Sequence, residues 1–149
     1  MKISTKVECG IIALVDICVN SGNDDVVTVI NISRRQDISA KYLEQILPLL
    51  RHAGIIRSVK GARGGYVLTT SADKITLRQV IDALDSAVLE DVTFKDREDS
   101  FIADAVSECL WSKMTKFLQT FSEGITLRDI SDRFLKLSDE SASEPMYYI

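Results

Sequence analysis

The sequence is poor in the residues that build covalent or metal frameworks. Its three cysteines, Cys9, Cys18 and Cys109, are too few and too scattered for a disulfide set or a zinc site. They point to a reducing compartment, and the cytoplasm is expected. No run approaches the ~18 consecutive apolar residues of a membrane span. The opening Met1-Lys2-Ile3-Ser4-Thr5-Lys6 leads into mixed sequence, without the apolar core and small-residue cleavage site of a secretion signal. An intracellular chain without a membrane partner is therefore expected. Histidine is almost absent: His52 stands alone, with no cysteine placed to join it in an acid, base or nucleophile set, so an enzyme is not expected. What is present, 46% hydrophobic and 27% charged residues over 149 positions, describes a globular chain. It forms one domain, or a small domain with an appendage, and can bury a core without a metal or cofactor.

The net charge of -4 conceals a segregation. Residues 1–70 carry nine Lys and Arg against six Asp and Glu, a balance of +3, while residues 71–149 carry nine against sixteen, a balance of -7. Within residues 34–63 the excess sharpens to +5: Arg34, Arg35, Lys41, Arg51, Arg57, Lys60 and Arg63 against Asp37 and Glu44. A basic segment inside an acidic protein is the footprint of a polyanion partner, most simply nucleic acid. A solvated basic face is the alternative on charge alone.

Periodicity places a first helix over about Ser4 to Asn20, with Val7, Ile11, Leu14, Val15 and Cys18 on one face. Ser21-Gly22-Asn23-Asp24-Asp25 ends it. A short second helix follows over Val29 to Gln36, with Val29, Ile32 and Ser33 inward and Arg34 and Arg35 outward. Asp37-Ile38 breaks the pattern, and Ser39 is a natural N-cap for a third helix that stops near Gly54. Leu43, Ile46, Leu47 and Leu50 are its buried stripe. That leaves Lys41, Glu44, Gln45, Pro48 and His52 on the opposite face and Tyr42 on the flank. Pro48 removes the amide that would bond the Glu44 carbonyl, so a kink is expected there.

Beyond Gly54 the pattern turns extended. Ile55 to Lys60 and Tyr66 to Thr69 flank Gly61-Ala62-Arg63-Gly64-Gly65 and read as a hairpin. The glycine loop lacks a following Gly-Lys-Ser/Thr and does not open a helix, which excludes a nucleotide-binding P-loop. Helix, short helix, tight break, polar-faced helix and basic hairpin make a winged helix-turn-helix. The third helix can enter the major groove and present amides and hydroxyls to base edges. Lys60 and Arg63 on the wing can reach the neighbouring minor groove.

The rest of the chain reads as mainly α. A fourth helix runs from Thr76-Leu77 to about Leu84 on Leu77, Val80, Ile81 and Leu84. This ends the winged helix-turn-helix domain, residues 1–84. Residues 85–99 form an acidic, solvated connector. Residues 100–137 hold a long helix, Ser100 to Phe121, and a short final helix beginning at Thr126. Ile102, Val106, Cys109, Leu110, Met114, Phe117, Leu118 and Phe121 make a continuous stripe ~30 Å long on the long helix. It is longer than a compact winged helix needs, so the same helix of a second subunit is the expected partner, giving a homodimer. An intramolecular core helix is the alternative. Residues 138–149 read as a polar tail that ends in Met146-Tyr147-Tyr148-Ile149.

The chain resembles the Rrf2 family of bacterial winged-helix regulators. The resemblance is carried by Met1 to Lys6, Ile38-Ser39-Ala40-Lys41-Tyr42-Leu43-Glu44-Gln45-Ile46, Leu50-Arg51-His52-Ala53-Gly54 and Ser58-Val59-Lys60-Gly61-Ala62-Arg63-Gly64-Gly65-Tyr66. It implies a homodimer reading double-stranded DNA at a palindromic operator. Ser39, Lys41, Tyr42, Glu44 and Gln45 would be helix contacts and Lys60 and Arg63 wing contacts. The family's best-known cofactor is a [2Fe-2S] cluster on three closely spaced cysteines after the fourth helix. Residues 85–108 contain no cysteine, so neither that cluster nor any other cofactor is expected. Cys109, Cys9 and Cys18 are expected to be buried, inert side chains. Val7-Glu8-Cys9 also replaces the family's usual Gly-Arg-Tyr, removing an arginine and a tyrosine from any phosphate contact there.

Among family members without a cluster, the chain is most similar to the repressors of cysteine metabolism, whose tails end in an aromatic pair followed by isoleucine. That likeness implies a complex with cysteine synthase that is released by O-acetylserine. A short apolar side chain beside a free carboxylate imitates an amino-acid substrate, so Met146 to Ile149 would plug the synthase pocket. A frayed or self-packed tail is the alternative. The competing expectation is a regulator of the same fold that senses redox state through its thiols, or a small ligand, directly.

Overall fold

The computed structural model describes residues 3–92 and 100–143. Residues 93–99 of the expected connector and 144–149 of the tail, with Met146 to Ile149, lie outside the described residues.

Helix α1, Thr5–Asn20, begins where the Ser4 side chain accepts from the Val7 amide. It packs on each of the three helices that follow it in the chain. Its buried positions are Val7, Gly10, Ala13, Leu14, Asp16 and Ile17. Ile11, Val15 and Cys18 are half-buried, so the inward face is rotated from the one expected. Gly10 makes this packing possible, since a side chain there would strike Leu84.

Helix α2, Val29–Gln36, is closed at its start by a capping box between Thr28 and Asn31. It ends at Asp37, whose left-handed backbone (φ 53°) turns the chain into α3, Ala40–His52. Ser39 caps α3 by accepting from the Tyr42 amide at 3.1 Å. Helix α3 remains helical through Pro48, and Leu43, Ile46, Leu47 and Leu50 are buried. At its end the Ile55 amide bonds the Leu50 carbonyl and the Gly54 amide bonds that of Arg51, both at 3.0 Å. This arrangement needs the positive φ of Gly54, 75°.

The hairpin follows at once. Strand β1, Ile56–Val59, pairs antiparallel with β2, Gly65–Leu68, in the register Ile56 to Leu68 and Val59 to Gly65. Tyr66 also exchanges backbone bonds with Val27 at 2.7 and 3.0 Å, which fixes the wing to the segment before α2. A Cβ on Gly65 would lie 2.7 Å from the Val27 carbonyl oxygen, so this contact requires glycine.

Helix α4, Leu77–Asp85, is capped by a Thr76–Gln79 box. Residues 86–89, expected as solvated connector, instead form a 3-10 turn with Leu89 buried. The long helical run is α5, Phe101–Val106, a π-turn over Ser107–Trp111, and α6, Ser112–Gly124. Helix α6 lies on α4, with Arg78 of α4 bonded to Asp82 at 2.7 Å and to Glu123 of α6 at 3.4 Å.

The final helix is longer than expected. Helix α7, Leu127–Ser143, takes in residues 138–143, which read as tail. Thr126 and Asp129 cap it: the Thr126 amide donates to the Asp129 carboxylate at 2.8 Å. Leu127 is fully buried in the core shared by α1, α3 and α4. Two backbone bonds, Leu77 to Ile125 and Leu127 to Ile75, hold it there. The chain therefore returns from the long helix to finish the core built by the first four helices. The fold is mainly α with one small hairpin, a winged helix-turn-helix extended by a long helix.

Candidate nucleic-acid interface

The exposed side of α3 presents Lys41, Glu44 and Gln45, with Arg51 and His52 at its end. The buried stripe holds this face outward. Tyr42 is half-buried and packs against the core, leaving part of its ring at the edge of the surface. Ser39 is exposed, and its oxygen is occupied as the N-cap.

The wing extends the surface. Arg57, Lys60 and Arg63 are exposed, the last two at the tip of the hairpin. The loop is tight because Gly61 has a φ of 120° and the Gly64 amide bonds the Gly61 carbonyl at 3.0 Å. Any side chain at Gly64 would press on the Val59 carbonyl. Two glycines therefore hold Lys60 and Arg63 on a stiff turn.

Among the described residues the ion pairs are Arg35–Asp16, Arg78 with Asp82 and Glu123, and Arg133–Glu140. None uses Lys41, Arg51, Arg57, Lys60 or Arg63. The +5 segment read from the sequence is thus largely unneutralised in the fold, and its charge is available to phosphates.

Arg35 is the exception, and the sequence reading missed it. Its outward position is correct for the backbone, but the guanidinium turns back to Asp16 of α1, which is 2% exposed. Nε and Nη2 donate to the two carboxylate oxygens at 2.9 and 2.6 Å, and Gln36 Nε2 adds a third bond at 2.7 Å. Burial pushes the Asp16 carboxyl up, but the bonds from Arg35 and Gln36 and the Arg35 charge outweigh it and hold the pKa below the usual value. This cluster ties α1 to the first helix of the helix-turn-helix. The available signal was a carboxylate between Val15 and Ile17 in an apolar helix.

The thiols lie differently from expectation. Cys109 is exposed on the π-turn instead of buried, and Cys9 and Cys18 are half-buried. Cys9 and Cys18 are nine residues apart on α1, about 13 Å along the helix axis. Among the described residues no group of three or more His, Cys, Asp or Glu side chains is placed to hold a metal. These residues do not fit a three-cysteine iron-sulfur site. Among them, too, no helix is long and apolar enough to cross a membrane.

The stripe expected to form a dimer surface is open. Phe101, Ile102, Val106, Leu110, Met114, Phe117 and Phe121 are all exposed, Phe117 by 70%, and the Phe117 and Phe121 rings stack at 6.5 Å. Cys109 is exposed with them, while Leu118 is half-buried.

A family model described as Rrf2, iron-dependent transcriptional regulator, matches residues 3–133. The chain is 33% identical to the HTH-type transcriptional regulator IscR of Cereibacter sphaeroides over 135 residues, covering 87% of this chain and 86% of that one. It is 32% identical to the HTH-type transcriptional regulator CymR of Bacillus subtilis over 130 residues, covering 83% and 94%. Among solved structures, that of CymR, described as the global cysteine regulator of B. subtilis, superposes with a TM-score of 0.74 at 28% identity over 89% of this chain and 98% of that one. IscR of T. potens gives 0.72 at 31% identity over 99% and 97%.

Proposed function

This chain belongs to the Rrf2 family of transcriptional regulators, which are not enzymes, and from that premise we propose that it is a sequence-specific DNA-binding repressor acting as a homodimer on a palindromic operator. The observation that carries the reading is the set of unpaired cations on α3 and the wing. Lys41, Lys60 and Arg63 neutralise phosphates, while Glu44 and Gln45, on the exposed side of the same helix, face base edges. Ser39 adds a hydroxyl at the helix start, and Tyr42 packs its ring beside the backbone. The exposed stripe of the long helix, from Ile102 to Leu118, pairs with its copy and spaces two recognition helices on the two half-sites.

The regulated process is cysteine and sulfur metabolism, with cysteine synthase as the partner and O-acetylserine as the signal. Three facts support this: the likeness to CymR, the lack of any cysteine in residues 85–108, and the segment Met146-Tyr147-Tyr148-Ile149. A second reading, direct sensing by a thiol, is favoured by the exposure of Cys109.

Two experiments test these proposals, the first the DNA recognition and the second the sensing route. Selection of bound sequences from a random duplex pool should yield an inverted repeat, and Gln45→Ala should relax preference at one position per half-site, costing about 1–3 kcal/mol there. A pool with no enriched motif would sink sequence-specific recognition. Titration calorimetry with cysteine synthase should show binding that needs residues 146–149 and is lost with O-acetylserine. Equal behaviour of the full and shortened chains would refute the tail as the sensing device and leave Cys109 to be tested.

A further inference from the structure

Helix α2 has little apolar hold on the rest of the fold. Of its eight residues only Ile32 is buried, while Ile30, Arg34, Arg35 and Gln36 are exposed. Its two ends are held by hydrogen bonds instead. At the start, the Thr28–Asn31 box closes the first turn, and Val27, just before it, exchanges backbone bonds with Tyr66 of the wing. At the finish, the last two residues, Arg35 and Gln36, both reach the Asp16 carboxylate of α1, with three bonds of 2.6, 2.7 and 2.9 Å.

A buried carboxylate is a costly fastener. Its desolvation offsets much of the attraction, so such a pair adds little stability over well-packed apolar side chains. What it adds is direction. A guanidinium fork and a carboxylate meet edge to edge in one plane, whereas apolar contact is non-directional. Asp16, 2% exposed between Val15 and Ile17, therefore fixes the angle of the α2 end.

That angle passes to α3. Only Asp37, Ile38 and Ser39 separate the two helices: Asp37 holds a left-handed backbone, Ile38 is buried, and the Ser39 oxygen accepts from the Tyr42 amide. Each is held, so the turn has no slack to absorb a movement of α2. A tilt of about 10° at Ser39 displaces Gln45, about 9 Å further along the helix, by about 1.5 Å, well beyond the ~0.5 Å tolerance of a binding constellation.

We propose that Asp16 is a positioning residue for operator recognition: through Arg35 and Gln36 it sets the angle at which α3 offers Glu44 and Gln45 to base edges. It does so from the interior, without touching DNA. The proposal rests on the DNA-binding reading above and adds three residues outside α3 and the wing to the recognition machinery. Specific binding depends on where the base-reading side chains fall, whereas non-specific binding depends on the cations facing phosphates. Loss of Asp16 therefore acts on the first and spares the second.

The test compares operator and random-duplex affinities of the full chain by fluorescence anisotropy, at a temperature where circular dichroism shows every variant folded. Asp16→Asn keeps the shape and removes the charge, while Arg35→Lys keeps the charge and removes the fork. Each is expected to lose at least tenfold in operator affinity with no fall in random-duplex affinity. Ile75→Val, a core change on neither α1 nor α2, controls for stability and is expected to leave both affinities unchanged. Amide hydrogen exchange over Asp37 to Tyr42 should quicken in Asp16→Asn and Arg35→Lys while α4 keeps its wild-type protection. Equal loss on both duplexes, unchanged operator affinity, unchanged exchange over Asp37 to Tyr42, or the same loss in Ile75→Val would overturn the positioning role and leave DNA recognition standing. A wild-type chain that prefers no operator over random duplex would overturn sequence-specific recognition and this role with it.

Discussion

Arg35 Nη2 lies 2.6 Å from Asp16 Oδ1, with the aspartate side chain wholly buried and the arginine side chain 39% exposed. The asymmetry of exposure makes the two halves of this pair unequal. Water can take up the charge of Arg35 if Asp16 is lost, whereas Asp16 is shielded from water in the fold and depends on Arg35 and Gln36 for its hydrogen bonds.

Arg35→Ala should therefore destabilise the protein more than Asp16→Asn. Stranding a buried carboxylate costs about 3 kcal/mol even with Gln36 still bonded to it, whereas the half-exposed arginine loses about 1 kcal/mol once solvent screening is allowed for. Urea unfolding of both variants measures the difference. Equal losses would mean that Asp16 is less enclosed than the fold indicates.

The same pair predicts an acid-sensitive term. The folded pKa of Asp16 is depressed, so its contribution is fully present above the unfolded value, near 4, and is lost as the pH falls through the lower folded value. The stability gap between wild type and Asp16→Asn should be constant from pH 7 to about 5 and then shrink below about 4. A gap that grew on acidification would contradict the sign.

Lys60 and Arg63 stand on a stiff turn, without acidic partners among the described residues. Alanine at either should weaken binding to all duplexes by a similar factor and lower the slope of log affinity against log salt by about one. Fluorescence anisotropy at four or five salt concentrations decides it. An unchanged slope would remove that residue from the phosphate contacts.

Phe117 lies on α6, outside α3 and the wing, and among the described residues none buries it, leaving it 70% exposed. Phe117→Glu should turn the dimer into a monomer without unfolding it, and operator affinity should fall by orders of magnitude because one half-site is lost. Sedimentation equilibrium together with circular dichroism reports both quantities. A folded, dimeric Phe117→Glu protein would place the interface elsewhere.

Much of the proposed DNA-facing surface was legible because its determinants are local. The limits of α3 follow from Ser39, the spacing of Leu43, Ile46, Leu47 and Leu50, and Gly54, all within one helix and its caps. The wing follows from two β-rich runs around three glycines. Helix α7 was misjudged at its end because Ser138-Asp139-Glu140-Ser141-Ala142-Ser143 has no apolar period to reveal it. Extending an existing helix is far easier than nucleating one, so these residues need no face of their own.

The sequence by itself determined the order and limits of the first four helices, the hairpin, the unbalanced basic segment and the long apolar stripe, since each depends on residues a few positions apart. Tertiary structure alone decided that Arg35 turns inward to a carboxylate 19 positions earlier. It also decided that Leu127 completes the core beside α1 and α4, that Leu89 is buried, and that Cys109 faces outward. These outcomes depend on how the chain returns upon itself, and spacing along a sequence carries no record of which distant residue will be waiting when it does.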